Sequence, residues 1–174
     1  MRNPDRSHKL SSGEEDPSPH RLSRNTMNGG RKMNRYTLKV YPEGMGREVY
    51  RVIEISGKDS LDRLCEFILE TLNFSHEHMY EFCMDGRLYS GHSYQSMPEA
   101  GEPSTKTAID KIGLFKGKKF ILHYDFGDDW IFMITVQKIE EAENKSGPML
   151  IKSKGSVEQY PDWDDEEWDE GEED

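Results

Sequence analysis

His123-Tyr124-Asp125-Phe126-Gly127-Asp128-Asp129-Trp130 decides how this chain reads. The segment lies between two runs of strand-forming residues, Lys119 to Tyr124 and Trp130 to Glu140, and so reads as the turn of a β-hairpin. In the second run Trp130, Phe132, Ile134 and Val136 recur with the period of two that puts them on one face of a sheet. Aspartates populate tight turns because their side chains hydrogen-bond their own backbone, and Gly127 is expected to take the positive φ. A turn can also aim several carboxylates at one point, as hard divalent cations require.

Outward from this hairpin, further elements follow by pattern. Tyr36 to Tyr41 alternates Leu38 and Val40 with polar neighbours, and Val49 to Ile55 is again β-rich, so the two form a first hairpin across turn residues Pro42 to Arg47. Gly44-Met45-Gly46 is not a phosphate loop, because no third glycine follows and the next element is a strand. Ser60 opens the clearest helix, with Ser60 or Asp59 as cap. There Leu61, Leu64, Cys65, Ile68, Leu69 and Leu72 fall on one face, and Asn73 and Phe74 end it. Tyr80 to Met84 and Arg87 to Tyr89 flank Asp85-Gly86, a two-residue hairpin signal. Residues 90–106 read as a loop, and Thr107 to Ile112 as a short helical turn stopped by Gly113. The sum is an α+β domain: a mostly antiparallel sheet of about six strands packed against one main helix, residues 60–72.

Only 33% of the residues are apolar, but the deficit lies at the ends. Residues 1–34 carry 7 Lys+Arg against 4 Asp+Glu and read as a disordered extension, non-essential and produced by an upstream start codon. Residues 158–174 hold 11 Asp+Glu and no Lys or Arg, and read as a disordered acidic tail. Of the total charge of −11, about −3 therefore belongs to the domain at 35–157, where 16 Lys+Arg face 19 Asp+Glu. That near-neutral domain shows no basic stripe, so a nucleic-acid partner is not supported. No run of 18 apolar residues is present to span a membrane, and the N-terminal stretch lacks the apolar core of a secretory signal. Cys65 and Cys83 have no metal-site spacing and suit a reducing cytoplasm as small buried hydrophobes.

Candidate chemistry concentrates in the acidic turn. His123, Asp125, Asp128 and Asp129 are the residues that would serve a metal-dependent hydrolase or nuclease, with His76 and His78 as further imidazoles. No nucleophile elbow or Cys/His pair is present, and the letters Asp125-Phe126-Gly127 lack every other part of a kinase. Nothing in the chain calls for a cofactor. The tail Tyr160-Pro161-Asp162-Trp163-Asp164-Asp165-Glu166-Glu167-Trp168 alternates aromatics with acids, a pattern that can also mimic nucleic acid.

Tyr124-Asp125-Phe126-Gly127-Asp128-Asp129-Trp130, with Leu61 to Leu72 and His78-Met79-Tyr80-Glu81-Phe82, resembles the plasmid pRiA4b ORF-3-like family over residues 36–156. Some of its members are labelled as TnpR-type passengers of insertion elements. The resemblance implies a small α+β domain and no established activity. Three departures stand out: Tyr50-Arg51 replaces a Trp-Arg pair, Ile131-Phe132 follows Trp130 where many members have a Trp-x-His, and a Pro-Pro-Glu-Asp stretch is absent near Val157 to Tyr160. If that histidine serves chemistry in relatives, this chain lacks it. The resulting expectation is a cytoplasmic, non-enzymatic interaction or accessory module, with a protein partner bound at Asp125, Asp128, Asp129 and Trp130.

Overall fold

The structure, a computed structural model, describes residues 32–144 and 146–162. The expected N-terminal extension therefore lies almost wholly outside the described residues, as does the acidic tail beyond Asp162. The described chain forms β1 (Met33–Pro42), β2 (Tyr50–Ser56), α1 (Leu61–Leu72), β3 (Tyr80–Cys83), β4 (Ser93–Gln95), a 3-10 turn at Ile109–Lys111, β5 (Lys119–Tyr124), β6 (Trp130–Ala142) and β7 (Met149–Lys154). The strands make one sheet in the order β4-β3-β5-β6-β1-β2-β7, with every neighbouring pair antiparallel.

Alternation in the strands sorts side chains between the two faces of this sheet. Leu38, Val40, Ile53, Ile55, Phe82, Phe120, Leu122, Tyr124, Phe132, Ile134 and Val136 point inward. They join one cluster with the buried stripe of α1, namely Leu61, Leu64, Cys65, Ile68, Leu69 and Leu72. The helix begins where Ser60 Oγ accepts the Arg63 N–H at 3.1 Å. It ends where Asn73, at φ 58°, takes the left-handed conformation and donates its N–H to Glu70 O. No helix among the described residues is long and apolar enough to cross a membrane.

The α+β class holds, but the sheet has seven strands rather than about six. Arg87 to Tyr89 is not a strand. Tyr89 sits at φ 58° and Gly91 at φ 81°, so the chain turns further before Met84 N–H reaches His92 O. The return strand is β4, inside the stretch expected to be loop. That stretch is tied down because Thr105 and Thr107 carbonyls accept the N–H groups of Asp62 and Leu61, which a helix N-terminus leaves free. Tyr80 Oη and Thr105 Oγ1 both donate to the Asp62 carboxylate. Burial first, and this bond to Asp62 second, push the Tyr80 hydroxyl up from its ordinary pKa. β7 has no counterpart in the sequence reading, because it is an edge strand exposed along its whole length, Met149, Leu150 and Ile151 included.

Cys65 and Cys83 are both buried free thiols, and burial pushes the Cys83 thiol up to about 12. Removing the helix cap should cost about 1 kcal/mol. Urea unfolding of Ser60→Ala is expected to show a lower midpoint with an unchanged slope.

Candidate functional site

The β5–β6 turn is built by its first aspartate. Asp125 lies at φ 62°, a conformation tolerated by residues whose short carboxylates bond locally. Its Oδ1 accepts the N–H groups of Gly127 at 3.1 Å and Asp128 at 3.3 Å, and its own N–H donates to Met79 O at 3.0 Å. The turn closes with Asp129 N–H on Asp125 O at 2.6 Å, and Asp129 is itself left-handed at φ 51°. Gly127 does not take a positive φ, contrary to expectation; the two aspartates do so instead.

Register then builds a buried polar row on the face opposite the helix. β3 pairs with β5 so that Glu81 lies across from His123. His123 is almost completely buried, with Nδ1 3.0 Å from Glu81 Oε1 and Nε2 2.7 Å from Asp129 Oδ1. Each ring nitrogen thus faces the oxygen of a carboxylate. Phe126 covers the imidazole at 4.8 Å between ring centroids, and Gln95 Nε2 donates to Glu81 Oε2 at 2.5 Å. Burial alone would raise the Glu81 carboxyl, but the hydrogen bonds from His123 and Gln95 overcome it and hold the group below its usual range.

The C-terminal segment completes the surroundings. Gln159 Oε1 accepts the Ser75 N–H at 2.7 Å, and Tyr160 Oη lies 2.7 Å from His78 Nε2. The same His78 nitrogen is 3.4 Å from Asp125 Oδ2. The half-buried Trp130 meets Phe74 edge-on at 4.8 Å and stacks along Phe132 at 6.1 Å. Two open clefts flank it. One, of about 260 Å³, is lined by Pro42, Glu43, Met45, Asp128, Asp129 and Trp130; the other, of about 490 Å³, by Asp128, Trp130, Gln159, Tyr160 and Pro161.

The turn thus separates the residues that the sequence grouped together. Asp128 and Asp129 are exposed beside Trp130, whereas Asp125, expected on the contact surface, is only 6% exposed and supports the turn from within. His123 meets Asp129 but not the other two aspartates, and both its nitrogens face carboxylates. Of the two loop histidines, His78 reaches the turn while His76 is exposed. Among the described residues no group of three or more His, Cys, Asp or Glu is placed to hold a metal ion. The places of Glu81, Gln95 and Glu43 at the site, and of Tyr160, read from sequence only as part of the tail, are not legible in the sequence, because only strand pairing and chain return bring them to the turn.

Fold and site together define a small one-sheet α+β protein with a rigid acidic turn beside a tryptophan. The chain belongs to the plasmid pRiA4b ORF-3-like protein family, whose model matches residues 34–165. It is 29% identical over 121 residues to the uncharacterized protein y4hQ of Sinorhizobium fredii, a match spanning 68% of this chain and 61% of that protein, less than two thirds of its length. The crystal structure of a protein of unknown function, MM3350 from Methanosarcina mazei Go1, shares the fold with a TM-score of 0.58, at 21% identity over 72% of each chain.

Glu81 gives the site an acid limit. A carboxyl held below its unfolded value of 4.5 contributes stability that is complete above that value and lost as pH falls through the lower folded value. Thermal melts should therefore show a fall in stability on the acid side of pH 4.5 that is shallower in Glu81→Gln than in wild type. Identical pH slopes would show that the His123 contact does not bias the carboxylate.

Proposed function

We propose that the chain is a non-enzymatic interaction module, an accessory protein of plasmids or insertion elements acting in the cytoplasm, which binds a protein partner through the β5–β6 turn. The observation that carries this reading is the fixed turn: Asp125 holds the backbone from within while Asp128 and Asp129 stand exposed beside Trp130. An interface gains most from aromatic anchors set in place before binding, because little conformational entropy is then lost. His123 supports the same surface from below, gripping Asp129 with one nitrogen and Glu81 with the other. Both nitrogens are so engaged.

The test is affinity purification of the tagged full chain from its native cells beside the double variant Trp130→Ala/Asp128→Asn. Circular dichroism melts would verify that the variant remains folded. A protein retained by wild type and depleted about tenfold or more with the variant is the expected result, as loss of a tryptophan anchor implies. Equal retention by both would remove this turn from the interface, and a partner-free wild type would count against the module itself.

A further inference from the structure

The two clefts beside Trp130 share a chemistry that specifies the partner. Their walls are aromatic and apolar, from Trp130, Tyr160, Pro161, Pro42 and Met45. Every charged residue lining them is an acid: Glu43 and Asp129 in the smaller, Asp128 in both. Asp128 and Trp130 belong to both clefts, so the indole stands as the partition between two acid-rimmed aromatic slots. The wider slot owes its far wall to the C-terminal segment, where Tyr160 is held by His78 and Gln159 by Ser75. Tyr160 keeps 56% of its surface open. The chain beyond Pro161 then adds a sequence with 10 Asp+Glu and no Lys or Arg between Asp162 and Asp174. Glu43, Asp128 and Asp129 make the local potential at the clefts negative.

Resting on the interaction reading above, we infer that these slots take arginine side chains from a basic segment of the partner, one on either side of Trp130. An aromatic wall and a carboxylate rim are both used by a guanidinium, which stacks by its planar face and donates a fork of N–H groups at its edge. An ammonium uses the charge but not the plane. A neutral or acidic side chain would leave Asp128 desolvated without a donor, which is costly. The turn is suited to this role because its own hydrogen bonds engage the Asp125 carboxylate and the backbone N–H groups of Gly127 and Asp128, leaving the Asp128 side chain exposed at the rim.

The protein's own fluorescence can read this site. The chain has three tryptophans, so the full chain carrying Trp163→Phe/Trp168→Phe reports on Trp130 alone. The probe is a short peptide of alternating glycine and arginine, with the same peptide carrying citrulline, the neutral isostere, as control. The expected result is a saturable change in Trp130 emission with arginine, absent with citrulline and weakened about tenfold both by Tyr160→Ala and by Glu43→Gln/Asp128→Asn, as loss of charge-assisted and stacking contacts implies. Attraction to the acidic tail alone would survive Tyr160→Ala, so insensitivity to that change overturns the inference. So does an equal response to citrulline, or no response. If the peptide fails while a cellular partner is still captured through Trp130, the arginine inference falls and the interaction module stands. If both fail, both readings fall.

Discussion

The structure depends on one non-local pairing, the insertion of β1 between β2 and β6. Three of the six pairings join strands consecutive in sequence (β1–β2, β3–β4 and β5–β6) and three do not (β3–β5, β1–β6 and β2–β7), and Met33–Pro42 is hydrogen-bonded along both edges. Without that pairing the sheet would part into a three-stranded half, β1, β2 and β7, and a four-stranded half, β3 to β6, and the core they share would be split. With it, Leu38 and Val40 from β1 meet Phe132, Ile134 and Val136 from β6 in one core. The pairing also runs to the very end of β1, where Pro42 lies across from Phe132 and Glu43 N–H donates to Ile131 O at 2.8 Å. Glu43 and Met45 therefore stand beside Trp130, and one cleft of the site follows directly from the topology of the sheet.

The acidic turn shows how a conflict in local preferences is resolved. Two consecutive aspartates and a third nearby repel one another, and Asp125 is buried besides. The cost is offset by giving two of the carboxylates their own donors, backbone N–H groups and His78 for Asp125 and the His123 ring for Asp129, while Asp128 stands exposed at the rim. Buried carboxylates held by several donors become rigid points in a structure, since moving them would leave a charge uncompensated. Of the three, Asp125 is the buried one, and it fixes the turn backbone from within.

Much of this was legible in sequence, and the misses share a physical cause. The period-two runs located β5 at its observed bounds and β6 to within two residues of its end, and the capped amphipathic pattern located α1. These signals are local. β4 and β7 carry none, because three polar-flanked residues and a fully exposed edge strand bury too little to leave an apolar rhythm. Gly127 looked like the residue for positive φ because it has no Cβ, yet Asp125 and Asp129 occupy that region, paid for by bonds that a glycine could not make. The grip of Glu81 on His123 was invisible for another reason: it exists only through the β3–β5 register.

The C-terminal segment is where composition misleads most. By charge, residues from 158 onward belong to a tail, yet Gln159 and Tyr160 are bound to the loop that follows α1, and Val157 packs on the core. The boundary between domain and tail is thus set by side-chain chemistry rather than by charge density. A tyrosine whose hydroxyl finds an imidazole and a glutamine whose carbonyl finds a free N–H can hold a segment that buries little else. They hold it against the turn that carries Trp130, where Tyr160 and Pro161 wall one of the clefts. The contact joins two features that the sequence keeps far apart, the acidic turn with Trp130 and the segment at 159–161, and makes them parts of one surface.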